Sequence, residues 1–135
     1  PLGIDPEKGI GTAYEGFVKI PKPGGIKKGW MRQFAVVCDF KVFLFDVTGD
    51  KPPQISQSAT QVIDMRDDEF AVSSVLASDV IHANKRELPC IFRVVASQMT
   101  PPGEPLTQLF LTDKENDRVK WVNALQELHK LLKKN

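Results

Sequence analysis

TDKENDRVKWVNALQELHKLLKKN, Thr112 to Asn135, is the stretch that decides the fold. Trp121, Leu125, Leu128 and Leu132 fall at i, i+4, i+7 and i+11, with Ala124 and Leu131 beside them. That spacing predicts a single apolar stripe on a helix of roughly 20 residues, about 30 Å long. Thr112-Asp113-Lys114-Glu115 has the T-x-x-E form of a capping box, which predicts two backbone N–H groups satisfied at the helix start. Asp113, Glu115 and Asp117 stand near the positive end of the helix dipole, and Lys130, Lys133 and Lys134 near its negative end.

Upstream the texture is different. From Thr12 onward short runs rich in Val, Phe and Ile are cut by turn residues, which predicts strands over 13–21, 30–38, 41–47, 61–66, 70–75, 90–98 and 107–112. Lys22-Pro23-Gly24-Gly25 is a breaker cluster, and Asp39-Phe40 leaves room only for a tight turn. Thr48 to Thr60 reads as a polar loop, and the three prolines between Thr100 and Pro105 exclude a central strand there. Residues 1–10 carry two prolines and two glycines and no apolar period, so they read as a flexible lead-in that includes construction-derived residues at Pro1-Leu2-Gly3. One domain over 11–135 follows. Seven strands leave edges and an open end, and one apolar-striped helix is suited to plug it. The expected fold is mainly β: a seven-stranded antiparallel barrel or sandwich capped by a C-terminal amphipathic helix.

Composition sets outer limits. The chain has 135 residues, 41% of them hydrophobic, and a formal net charge of +1. That is enough apolar material for a core, and too little net charge for a protein that coats nucleic acid. No apolar run is long enough to span a membrane. Two cysteines, no N-x-S/T site and no apolar leader lead to the expectation of a reduced, cytoplasmic setting.

Individual residues fit one superfold. Glu15-Gly16-Phe17-Val18 resembles the opening strand of pleckstrin-homology (PH) domains, Trp30 the aromatic that begins their second strand, and Trp121 the tryptophan of their C-terminal helix. More specifically, GTAYEGFVKIPKPGGIKKGW, AVVCDFK, QVIDMRDDEFAVSSVLASDVIHA, CIFRV and LHKLLKKN resemble the PH domain of the MRCK kinases. These are myotonic-dystrophy-kinase-related serine/threonine kinases that act as effectors of Rho-family GTPases. The resemblance implies an internal, non-catalytic module between a zinc-binding C1 domain and a citron-homology domain. It further implies that ATP, Mg and the Rho-family GTPase are bound elsewhere in the parent, which works in actomyosin organisation.

Between Gly16 and Arg32 stand five basic residues, Lys19, Lys22, Lys27, Lys28 and Arg32, and no acidic one; the rest of the chain sums to −4. Clustered ammonium groups on a glycine loop suit phosphates or an anionic membrane face, each worth on the order of 1 kcal/mol near such a surface. Ile26 at the loop tip is the candidate for insertion into a bilayer interface. The PH resemblance sharpens the geometry. Phosphoinositide-binding members carry a basic residue at the end of strand one and K/R-x-R in strand two, facing the barrel mouth. The matching positions here are Ile20, Met31 and Gln33. Lys19 and Arg32 are one residue out of phase, and strand side chains alternate faces, so their charge is expected to point away from that mouth unless a bulge intervenes.

Other signals are weaker. Asp64, Asp67, Asp68 and Glu69 cluster, but no glycine lies between positions 50 and 102 to make a calcium loop. His82 and His129 are far apart, and Cys38 and Cys90 have no second ligand at finger spacing. Both cysteines fall in expected strands and read as buried thiols. No nucleotide-binding or hydrolase motif occurs, so neither a catalytic site nor a metal site is assigned. Too few aromatics accompany the basic stretch for nucleic-acid binding. The expected role is weak, poorly stereospecific binding to anionic phospholipid, peripheral at the plasma membrane or leading edge. The alternative is a protein-interaction or autoinhibitory module that packs on other domains of the parent.

Overall fold

The structure, a computed structural model, describes residues 12–49, 52–75, 84–96 and 107–133. The expected lead-in over 1–10, His82 and the proline loop of 100–105 lie outside the described residues. Seven strands form one antiparallel sheet: β1 (Thr12–Pro21), β2 (Trp30–Cys38), β3 (Lys41–Thr48), β4 (Gln54–Asp64), β5 (Ala71–Ser74), β6 (Ile91–Val95) and β7 (Thr107–Leu111). One helix, α1 (Glu115–Lys133), follows them. Strand order is β4-β3-β2-β1-β7-β6-β5. Among the described residues β4 and β5 have no pairing with each other, so the sheet is an open, sandwich-like layer rather than a closed barrel.

Alternation explains the core. Val18 on β1, Ala35 and Val37 on β2, and Val42 and Leu44 on β3 point to one face and pack with Trp121, Val122 and Leu125 of α1. Trp121 is 4% exposed, meets Tyr14 edge-on at 4.5 Å between centroids and stacks over Phe92 at 6.2 Å. Gly16 lies beneath it, where a Cβ would stand 3.5 Å from Trp121 Cζ2. The opposite face of β2 and β3 carries a second cluster of Phe34, Val36, Cys38 and Phe45. That is why β2 is buried almost without alternation from Gln33 on.

The Asp39-Phe40 turn is as expected: both residues have positive φ, 52° and 55°, the pair of left-handed conformations a two-residue hairpin requires. Four expectations need correction. β4 starts at Gln54, so half of the supposed 48–60 loop is strand; its Ser/Gln-rich start lies on the sheet edge, largely exposed, and needs no apolar alternation. Thr112 does not cap α1. Its hydroxyl lies 2.9 Å from both the Cys90 and the Lys114 carbonyl oxygens as donor, and the Lys114 carbonyl accepts the first helical N–H groups, from Asp117 and Arg118. Cys90 closes a 3-10 turn, Leu88–Cys90, ahead of β6 and is only half-buried. Leu131 stands off the stripe, 52% exposed.

Candidate functional site

The β1–β2 hairpin carries every basic residue singled out above. The strands run in register from Lys19↔Arg32 through Ile20↔Met31 to Pro21↔Trp30. Beyond Pro21 the loop is not slack. The Lys22 and Gly29 backbones are joined by an N–H···O bond of 3.0 Å, and a 3-10 turn, Ile26–Lys28, fills the tip. Gly24, Gly25 and Gly29 take φ near +100°, a conformation open only to glycine at low cost. Lys28 folds over Gly24, and Lys22 over Gly29. Lys22, Lys27 and Lys28 are thereby held exposed around one compact turn, with Ile26 half-buried among them.

Lys19 and Arg32 stand apart from that tip, on the outer face of the sheet. Lys19 is exposed and Arg32 half-buried, its guanidinium carbon 4.4 Å from the centroid of Phe17. Phe17 in turn meets Phe34 edge-on at 4.9 Å. β1 and β7 share one registered pair among the described residues, Lys19↔Leu111. Beside it lies a hollow of about 370 Å³ lined by Phe17, Val18, Lys19, Arg32, Leu111 and Asp113.

The inner face at the same end of the sheet has the opposite character. Ile20 packs against the core, and Gln33, in phase with Ala35 and Val37, is 1% exposed. Its amide donates to Asp46 Oδ1 at 2.6 Å and accepts from the Thr60 hydroxyl at 3.2 Å. A carboxylate therefore stands where a phosphoinositide pocket would need a cation. Sequence reading missed Asp46 and Thr60; the available signal was Gln33 itself, a polar residue in phase with core positions of β2.

The acidic cluster is spent on its own turn. Asp64 Oδ1 accepts from the Arg66 N–H at 2.9 Å, Asp67 Oδ1 accepts from the Glu69 N–H at 2.8 Å, and Arg66 bridges to Asp39 at 3.1 Å. His129 meets Phe70 edge-on at 5.0 Å. Among the described residues no three His, Cys, Asp or Glu side chains are placed to hold a metal ion. No helix there is long and apolar enough to cross a membrane. Cys38 and Cys90 are both free; burial pushes both thiols up, with Asp39 adding to it at Cys38 and Glu115 at Cys90.

Comparison with known proteins agrees with this architecture. Residues 5–131 match the family model of the MRCK kinase PH domain. The chain is 64% identical to the serine/threonine-protein kinase MRCK alpha of Mus musculus over all 135 residues, and 57% identical to the serine/threonine-protein kinase Genghis Khan of Drosophila melanogaster over the same length. It spans only 8% of the length of either relative. Among solved structures the Slm1-PH domain superposes with a TM-score of 0.60 at 15% identity, over 88% of this chain and 97% of that one. The family-model match and the full-length identity together place the chain: it belongs to the MRCK kinase PH-domain family.

Proposed function

We propose that this chain is a non-catalytic module that helps hold a large serine/threonine kinase at anionic membrane, through weak and poorly stereospecific contact of the β1–β2 hairpin with phospholipid. One observation carries the reading. Lys19 and Arg32 are paired on the outer face next to the exposed Lys22, Lys27 and Lys28, while the inner mouth holds Gln33 and Asp46. Point charges on a compact loop are attracted to a charged surface without selecting one headgroup isomer. The Slm1-PH domain, with which the fold is shared, has been solved in complex with inositol-4-phosphate, which supports phosphate-bearing ligands as the class.

On this reading the parent works at the cytoplasmic face of the plasma membrane or at a leading edge, in control of the actin–myosin cytoskeleton. A neighbouring zinc-binding C1 domain would share the membrane contact, and two weak contacts in one chain gain from effective concentration. ATP, Mg and the Rho-family GTPase belong to other parts of that parent.

Co-sedimentation with anionic vesicles over a salt series tests the proposal. Binding should fall steeply as ionic strength rises. Replacing Lys22, Lys27 and Lys28 together with Ala should weaken it on the order of a hundredfold, at about 1 kcal/mol per charge. Full binding by that variant overturns the lipid reading and favours a surface for protein, either a partner or another domain of the parent.

A further inference from the structure

The groove beside Lys19 holds both signs of charge. It opens on the outer face beside the Lys19↔Leu111 pair that joins β1 to β7. Lys19 and Arg32 bring cations to its lining, Phe17 and Leu111 bring apolar surface, and Asp113 brings a carboxylate from the segment between β7 and α1. Arg32 lies over the Phe17 ring, so its guanidinium plane and the aromatic wall are fixed relative to each other.

These groups discriminate between headgroups. A polyphosphorylated ring would bring like charge against Asp113, which costs energy at short range. A lone phosphate would use the two cations and leave the carboxylate without a partner from the ligand. A headgroup that carries a phosphate and an ammonium meets both signs.

We propose that this groove binds the headgroup of phosphatidylserine, with Lys19 and Arg32 taking the phosphate, Asp113 the ammonium, and Phe17 and Leu111 lying against the glycerol. Phosphatidylethanolamine has the same ammonium but no net charge, and so offers nothing to the exposed hairpin lysines. The inference rests on the membrane reading above and names the lipid that reading leaves open.

The test is co-sedimentation of the 135-residue chain with phosphatidylcholine vesicles doped with phosphatidylserine or phosphatidylglycerol at matched surface charge. Phosphatidylglycerol has the same net charge and no ammonium. The phosphatidylserine vesicles should bind roughly threefold to fivefold more tightly, the worth of one exposed ion pair. Asp113→Asn should erase that preference, whereas Glu115→Gln, a charge deletion outside the groove lining, should keep it. Replacing Lys22, Lys27 and Lys28 should weaken both vesicle types and leave the ratio intact. Equal binding of the two vesicles by the unmodified chain, or a preference that survives Asp113→Asn, overturns the proposal and leaves the membrane reading standing. Absence of binding to any anionic vesicle overturns both.

A second measurement needs no variant. Glycerophosphoserine should shift the backbone amide resonances of Lys19, Leu111 and Asp113 more than glycerophosphoglycerol does at the same concentration. Equal shifts overturn the assignment. So does a phosphoserine peptide that saturates the same amides while vesicles do not compete, because the occupant is then a protein segment.

Discussion

Gln33 donates its side-chain amide to the Asp46 carboxylate at 2.6 Å, between two residues directly opposed on β2 and β3. The other end of the amide accepts from Thr60 at 3.2 Å, and the whole residue is 1% exposed. A buried amide needs both ends satisfied, so the three side chains form a small closed network at the open end of the sheet. This network occupies the face that a polyphosphoinositide ring would enter, and it turns that face acidic.

Removing the amide should therefore cost stability. Gln33→Ala should lower the unfolding free energy by about 1–3 kcal/mol, since a buried volume is lost together with bonds to Asp46 and Thr60. Asp46→Asn keeps an oxygen able to accept from Gln33 and should cost clearly less. Urea denaturation measures both; a Gln33→Ala change below ~0.5 kcal/mol would show that the network contributes little.

The hairpin glycines make a second case. Gly29 has φ +102° and ψ −170°, a region that is essentially closed to residues with a Cβ, and its carbonyl accepts the Lys22 N–H at 3.0 Å. Gly29→Ala should cost about 1–3 kcal/mol. The strain is local, so the Lys22 amide should exchange its hydrogen faster while amides of β6 stay protected. Gly16→Ala is the contrast. No positive φ is required there, and the new Cβ would sit at ordinary contact distance, 3.5 Å, from Trp121. If the two substitutions cost the same, backbone conformation is not what the hairpin glycines supply.

Much of this was readable before any coordinates, and the failures have particular causes. α1 announces itself because an apolar stripe at helical spacing is redundant over several turns, and the position of Trp121 within it is borne out. The Asp39-Phe40 turn is legible because two strands with so little between them permit few backbones. The first half of β4 was hidden, since an edge strand exposed to water can be built of Ser and Gln, which carry no period. Thr112 misled because T-x-x-E describes a local bond, and a long-range one to the Cys90 carbonyl took the hydroxyl instead. For the site, strand alternation was enough to separate Lys19 and Arg32 from Ile20 and Gln33. It could not reveal Asp46 opposite Gln33 or Asp113 beside Lys19, because both depend on how distant strands are paired.

The last prediction concerns alkali. Tyr14 is pushed above its ordinary value of 10.0, by burial first and by Asp117 second. Cys38 and Cys90 are pushed above 9.0, again by burial first. In each case the folded chain holds its proton more tightly than the unfolded chain does. The stability linked to these protons is fully present below the unfolded values and is lost as pH rises through the folded ones. The urea midpoint should thus be level from neutral pH to near 9 and then fall, first through the thiols and then through the phenol. Cys38→Val with Cys90→Ser should delay the onset, because Val suits the apolar surroundings of Phe34, Val36 and Phe45 at position 38, and Ser at the half-buried position 90 remains neutral over this range. The same protonation makes the native thiols poor nucleophiles, so an aromatic disulfide reagent at pH 8 should label them slowly until urea is added. An onset unchanged in the double variant would assign the alkaline loss to groups other than the two cysteines.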